Sequence, residues 1–240
     1  MKMADPQDGE MVKAADLHAH YGESHILHGV SLSVSRGELI TLIGRNGSGR
    51  TTILRSLLGL VGRRTGSVRI RGVETIDLPP HRIARLGVGY CPEERGIFSR
   101  LSVEENLMLP PVVREGGMSV ERLYEIFPNL FEHRKAMGTR LSGGEQQMLA
   151  MARILRTGAQ LLLLDELTEG LAPVIVQALK RLIRQLKQLG FTVILVEQNF
   201  HFAAELADRH YVVDRGRIAE MIPKEALAES KDKIDAYLGV

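Results

Sequence analysis

The chain has 240 residues, 44% of them hydrophobic and 25% charged, with a formal net charge of +2 at neutral pH. That length can bury a sizeable core, as one large domain or a domain with a subdomain, and the near balance of acids and bases gives no support for a nucleic-acid binder, which carries a clustered basic face. The single cysteine, Cys91, excludes an internal disulfide and suits a reducing compartment. Placed in the apolar run GVGYCPEE, it is expected to be a buried structural thiol. No stretch approaches the roughly 18–20 apolar residues of a membrane span, and the polar N-terminus has no apolar signal core. A soluble, cytoplasmic protein is expected, one still able to dock on something in the membrane.

Residues 1–11 are polar and expected to fray. Residues 12–39 alternate as short strands with glycine turns, an antiparallel start. ELITLIG (38–44) is a continuous apolar run ending in glycine, as in a buried parallel strand. TTILRSLLGL (51–60) follows with helical spacing, Ile53, Leu54, Leu57 and Leu58 sharing a face. Arg63, Arg64, Arg69 and Arg71 read as a solvated loop and hairpin, with the hairpin over 66–76. LGVGYCPE is another strand. Residues 95–158 change character and read as helix-rich, after which QLLLLDE (160–166) is a buried strand. A helix over 173–190 stops at Gly190, FTVILVEQ (191–198) is a further strand, and residues 210–221 form a hairpin turned at Arg215-Gly216. Strands alternating with helices predict an α/β core with a helical insertion.

Three stretches carry chemistry. GRNGSGRTT, Gly44 to Thr52, has the glycines of a phosphate loop between an apolar strand and an amphipathic helix, where backbone N–H groups turn inward around phosphate oxygens. Gly44, Gly47 and Gly49 supply the freedom, Thr51 offers a hydroxyl to Mg²⁺ and Thr52 one to the α-phosphate; the plain alternative is a glycine-rich turn joining strand to helix. Asp165 and Glu166 end a buried strand, on the side of a doubly wound sheet where ligands bind. Beside a phosphate loop they read as a Mg²⁺-orienting carboxylate and one that aligns the attacking water, and otherwise as a strand-end turn. In LSGGEQQMLAMARIL, Ser142, Gly143 and Gly144 precede a helix and would form an anion-binding N-terminus or merely a cap.

In this order, GRNGSGRTT, LSGGEQQ and LLLLDELTEGLAP resemble the ATP-binding subunit of an ABC transporter over essentially the whole chain, from about residue 11 to 240. YCPEERGIFSRLSVEENL, DELTEGLAP, LVEQN and the ending AYLGV look most like the importer ATPases for branched-chain amino acids or related amides and urea. The resemblance implies a P-loop NTPase (RecA-like) α/β fold in one domain. A mostly parallel core with an antiparallel β-subdomain would span 12–94 and 159–222, a helical signature subdomain 95–158 and a C-terminal helical tail 223–240. It implies ATP and Mg²⁺ as ligands and a homo- or hetero-dimer closing head to tail. Each ATP would lie between the loop of one chain (Gly44, Arg45, Asn46, Gly47, Ser48, Gly49, Arg50, Thr51, Thr52) and the signature of the other (Ser142, Gly143, Gly144, Glu145). Tyr21 resembles the aromatic that stacks on adenine, against the alternative of a strand-surface tyrosine. Thr51, Glu93 and Asp165 match the Mg²⁺ positions, Glu166 the catalytic base and Gln198 the switch residue. Partners would be transmembrane permease subunits at the inner face of the membrane, through a groove formed by PEERGIF and the insertion, and indirectly an extracytoplasmic binding protein.

Departures from the general ABC pattern are Glu93 for glutamine, Gln198 for histidine and Ala172 for aspartate, all typical of this branch. Two are odd even there. Leu167 replaces a proline, which frees a backbone N–H and is expected to loosen the turn after Glu166. Arg50 replaces the loop lysine, a planar fork in place of a compact ammonium, so hydrolysis is expected to be slowed with ATP binding retained or moderately weakened. The rival reading is a regulatory partner that closes on ATP while another chain does the chemistry. The DNA-repair ABC class is set aside because residues 52–141 lack sustained heptads.

Overall fold

The computed structural model describes residues 9–238. Two sheets carry the fold. The first is antiparallel, order β2-β1-β4-β5, built from β1 (Glu10–Tyr21), β2 (Ser24–Ser35), β4 (Arg63–Ile70) and β5 (Val73–Glu74). The second has order β10-β9-β3-β8-β7-β6, from β3 (Leu39–Ile43), β6 (Val88–Cys91), β7 (Leu161–Asp165), β8 (Thr192–Val196), β9 (Arg209–Asp214) and β10 (Arg217–Pro223). All its pairings are parallel except β9–β10. Helices α1 (Arg50–Leu57), α2 (Pro80–Ala84), α3 (Val103–Met108), α4 (Val120–Ile126), α5 (Pro128–Glu132), α6 (Gly143–Arg156), α7 (Pro173–Gln188), α8 (Phe200–Ala204) and α9 (Lys231–Leu238) complete it.

The continuous apolar runs are explained by two-sided burial. Along β7, Leu161 and Leu163 enter one core while Leu162 and Leu164 enter the other; β8 divides likewise, Ile194 and Val196 against Val193 and Leu195. The first core is shared with α1 and the antiparallel sheet, the second with the insertion and α7. Fully burying each such side chain stabilises by about 1.5–3 kcal/mol. The strands are thereby pinned in register, and their carboxyl ends are brought level: Asp165 pairs with Val196, and Leu42 lies one residue from the end of β3 beside the same Val196.

Several local expectations are corrected. The antiparallel start is two strands of 12 residues each, and it takes in Glu10 and Met11, which had been grouped with the fraying terminus; residues 1–8 and the last two of AYLGV lie outside the described residues. The hairpin begins at Arg63 rather than residue 66. The helical run around residue 128 is two helices, because Pro128 has no N–H to continue the first and starts the second. The short α2 and α8, one turn or so each, have too few residues to show a period. Cys91 is the buried thiol expected; burial pushes it up to about 12, with the Gln147 amide donating to its sulfur at 3.3 Å.

Candidate active site

The chain leaves β3 at Gly44 with φ 156°, and a Cβ there would lie 2.2 Å from the Val213 carbonyl oxygen, so only glycine lets the loop pass β9. The loop is clamped from below by the β9–β10 turn, where Gly216 N–H donates to the Ser48 carbonyl at 2.8 Å. It enters α1 through Gly49, a cap with no side chain to satisfy the first N–H groups, and the first turn carries no acidic residue. Free N–H donors and the positive end of the helix dipole therefore face a cleft of about 440 Å³. Asn46 to Thr52 line it on one side and Glu93, Glu166 and Gln198 on the other, with Tyr21, 43% exposed, at its edge.

Arg50 is only 4% exposed. Its Nη1 donates to the Glu197 carbonyl at 2.9 Å, and its Nη2 to Glu166 Oε1 at 3.0 Å and to Asn46 Oδ1 at 3.3 Å. The fork thus spans from the end of β8 to the strand-end carboxylate. A lysine ammonium, one atom with three donors, has no second nitrogen to bridge the two. The other Glu166 oxygen, Oε2, accepts from Gln198 Nε2 at 2.7 Å. Burial raises the Glu166 carboxyl above its ordinary range, and the Arg50 charge and the Gln198 hydrogen bond pull against that rise. Burial likewise works against the Arg50 charge. Burial of both charges therefore offsets much of their attraction, as it can for any buried ion pair.

Asp165 is buried, and both its oxygens are held: Oδ1 accepts from the Thr51 hydroxyl and Oδ2 from Tyr90, each at 3.1 Å. Desolvation raises its carboxyl above the ordinary range. Glu93, Glu166 and Glu169 each bring a carboxylate oxygen within 4.8 Å of the others. Burial first, then the neighbouring Glu169, Glu94 and Asp165, raise Glu93. Hard oxygen donors around a phosphate loop fit Mg²⁺, and the mutual repulsion of these carboxylates is what a divalent ion would relieve. Glu169 was not singled out from the sequence, although it stands three residues beyond Glu166 in the same loop.

Glu166 itself has φ 46°, a left-handed conformation that costs a non-glycine residue about 1–3 kcal/mol. The turn expected to loosen at Leu167 is instead tied. Glu166 N–H donates to the Val196 carbonyl at 2.9 Å, and Leu167 is buried in the second core. Thr168 gives its N–H to Glu197 Oε1 at 3.1 Å and its hydroxyl to Oε2 at 2.8 Å. Glu197 is the second residue that sequence reasoning missed, since a glutamate after VILV gives no sign of being buried.

Burial pushes the Glu197 carboxyl up to about 7 from 4.5, against the two Thr168 bonds. Between those pH values the folded chain keeps a proton that the unfolded chain has released, so stability falls as pH rises through the window, by about 3 kcal/mol at most. Glu197→Gln can keep both Thr168 contacts and carries no charge. Its denaturation midpoint is expected to match the parent near pH 5 and exceed it at pH 8. Parallel curves at both pH values would contradict this.

Other sequence-predicted residues lie off the cleft. The Arg45 guanidinium is drawn away to the end of α9, donating to the Tyr237 and Ala236 carbonyls at 3.2 Å each. Gly44 shapes the loop from beneath. Ser142 caps α6, accepting from Glu145 N–H at 3.3 Å, while Glu145 Oε2 accepts from Ser142 N–H and hydroxyl at 2.8 Å each. Ser142, Gly143, Gly144 and Glu145 are absent from the cleft lining of the same chain.

A family profile described as ABC transporter matches residues 27–169. The high-affinity branched-chain amino acid transport ATP-binding protein BraG of Pseudomonas aeruginosa is 42% identical over 232 residues, 95% of this chain and 100% of that protein. The probable branched-chain amino acid transport ATP-binding protein LivF of Archaeoglobus fulgidus is 37% identical over 87% of this chain and 90% of its own. The lipopolysaccharide export system ATP-binding protein LptB of Escherichia coli K12 is 36% identical over 94% and 96%. Among solved structures, a nucleotide-free ATP-binding cassette from an ABC transporter superposes with TM-score 0.83 at 22% identity, covering 96% of this chain and 99% of that one. The superposition supports the fold; the family follows from the profile match and from three relatives aligned nearly end to end. The chain belongs to the ABC transporter family, as one of its ATP-binding subunits.

Proposed function

We propose that the chain is the ATP-hydrolysing subunit of an ABC importer for branched-chain amino acids or a related small solute. The observation that carries the enzymatic part is the meeting, in one cleft, of the phosphate loop and a Glu166 held by Gln198, with the buried Asp165 behind them accepting from the Thr51 hydroxyl. The cargo follows the names of BraG and LivF, at 42% and 37% identity.

In this reading the loop N–H groups and Thr52 bind the phosphates, and Tyr21 stacks on the base. Thr51, Asp165 and Glu93 hold Mg²⁺, which neutralises developing phosphate charge when bound. Glu166, with its raised carboxyl, takes the proton of the attacking water, and Gln198 orients it. The signature residues Ser142, Gly143, Gly144 and Glu145 serve a second ATPase chain packed head to tail. The chain works as one ABC domain, residues 12–94 and 159–222 forming the core, 95–158 the signature subdomain and 223–240 a tail. It sits on the cytoplasmic face of the membrane, bound to permease subunits that receive solute from an extracytoplasmic binding protein.

Support for the membrane partner comes from the junction of PEERGIF with the insertion. Pro92, Arg95, Gly96, Pro110, Ala150 and Arg153 line a second cleft of about 290 Å³. Phe98, Met108, Leu109 and Val112 stand exposed in the neighbouring segments, and the Arg153 guanidinium lies 5.1 Å from the Phe98 ring centre. An apolar, exposed set of this kind is costly to leave in water and suits a docked helix or loop. Co-expressed with its permease pair, the parent chain is expected to co-purify with it, and Phe98→Glu to lose at least tenfold of that recovery with an unchanged melting temperature. Undiminished recovery would remove this surface from the account. Uptake of radiolabelled leucine against a short-chain amide tests the cargo.

A second reading, a regulatory partner with weak turnover, is favoured by one observation: Arg50 occupies the Glu166 carboxylate.

A further inference from the structure

Four of the eight histidines crowd one hairpin. The β1–β2 register sets His18 opposite His28 and His20 opposite His25, while Leu17, Ala19 and Leu27 turn to the core. His18 Nδ1 lies 3.0 Å from His25 Nε2. His20 stacks on His25 with ring centres 4.1 Å apart and planes at 6°, and His28 lies 4.1 Å from His25 on a tilted plane. The His20 Nδ1 is buried with no hydrogen-bond partner. Nothing in ATP chemistry uses these rings, and stacking alone does not call for four of them.

We propose that this hairpin is a binding site for a borderline divalent transition-metal ion such as Zn²⁺ or Cu²⁺, with His18 and His25 as its two protein ligands and water filling the remaining positions. Two nitrogens on one tetrahedral ion, at about 2.0–2.1 Å each, stand roughly 3.3 Å apart, close to the spacing already present. The tautomer is also set. Asp16 Oδ1 lies 3.2 Å from His18 Nε2 and accepts its proton, which leaves Nδ1 with a lone pair aimed at His25. A carboxylate behind a ligating imidazole is the arrangement that orients such ligands and raises their basicity. Asp16 reaches that position from a bulge at φ 49°, and Gly29 makes room for it, since a Cβ at residue 29 would lie 2.9 Å from Asp16 Oδ1. Without an ion, His25 donates to His18; with one, His25 carries its proton on Nδ1 instead, and the two facing nitrogens turn their lone pairs to the ion. Imidazole suits Zn²⁺, Cu²⁺ and Ni²⁺, whereas the oxygen cluster at Glu93 suits Mg²⁺. Tyr21 and Ile26, each next to one of these histidines, line the nucleotide cleft, so the ion would brace the strand ends that present them.

The test uses the full chain with ZnCl₂ or CuCl₂ and no nucleotide, so it stands apart from the ATPase reading. Calorimetry is expected to show one Zn²⁺ per chain, at least tenfold weaker in His18→Ala/His25→Ala and unchanged in His81→Ala, an exposed histidine elsewhere. Electron paramagnetic resonance of the Cu²⁺ form is expected to show coupling to at least two imidazole nitrogens, lost in the double variant. A melting curve checks that this variant folds, and His25→Gln alone, at an exposed position, gives the same readout at lower cost to the strand. Absence of stoichiometric binding, equal affinity in the double variant, or oxygen-only ligation would overturn the site.

Discussion

Glu166→Gln is expected to lower ATP turnover by about 10²–10⁴-fold while leaving ATP binding in place, the usual cost of removing a general base. The substitution is nearly isosteric. Its amide oxygen can still accept from Arg50 Nη2, now at 3.0 Å, so the turn held by Val196 and Thr168 should persist. What is lost is the proton acceptor, a carboxyl that burial holds above its ordinary range. Binding rests instead on the loop N–H groups and Thr52, which the change does not touch. The measurements are steady-state ATPase rate and ATP-dependent dimer formation by size-exclusion chromatography. A variant that dimerises on ATP with hydrolysis no lower than the parent would move the account to the regulatory reading.

Arg50→Lys is expected to raise turnover. For the arginine to serve the β- and γ-phosphates, it must leave the Glu197 carbonyl and the Glu166 carboxylate together, because its two terminal nitrogens are committed to them. For Glu166 to act on water, it must shed the same guanidinium. One contact therefore restrains both the phosphate-binding charge and the base. A charge-assisted hydrogen bond contributes roughly 1.5–3 kcal/mol, and at about 1.36 kcal/mol per tenfold, its recovery in the transition state is a gain of about 10–150-fold. A lysine keeps the positive charge beside Asp165 and Glu166, so the site is not left with unpaired carboxylates, the costlier way to break a buried pair. The gain belongs in kcat, and the KM for ATP should change less, since N–H donors carry most of the ground-state binding.

Much of this site was legible because its geometry follows strand ends. A run such as LLLL can only be satisfied between two cores, and once β7 and β3 lie in one parallel sheet, Asp165 and the loop after Ile43 share an edge. The helix after Ser142 was readable from Ser142, Gly143 and Gly144, though it begins at Gly143 rather than beyond the glycines, and Ser142 and Glu145 close a local capping box that needs nothing from the rest of the chain. The pieces that were not legible depend on tertiary placement. Glu197 is polar in sequence and buried in space, the path of the Arg50 side chain follows from Glu166 and Glu197 standing across the cleft, and Arg45 leaves a phosphate-loop motif for α9. The histidine cluster lies between these cases. His18 and His20 show as alternate residues, but their meeting with His25 and His28 requires the β1–β2 register, with its bulges.

The most direct test of the Arg50–Glu166 restraint is the steady-state rate of MgATP hydrolysis at saturating ATP, measured side by side for the parent chain and Arg50→Lys. A rate about 10–150-fold higher in the lysine variant, with KM changed by less, is the result the account predicts. Equal rates, or a slower lysine variant, would contradict it.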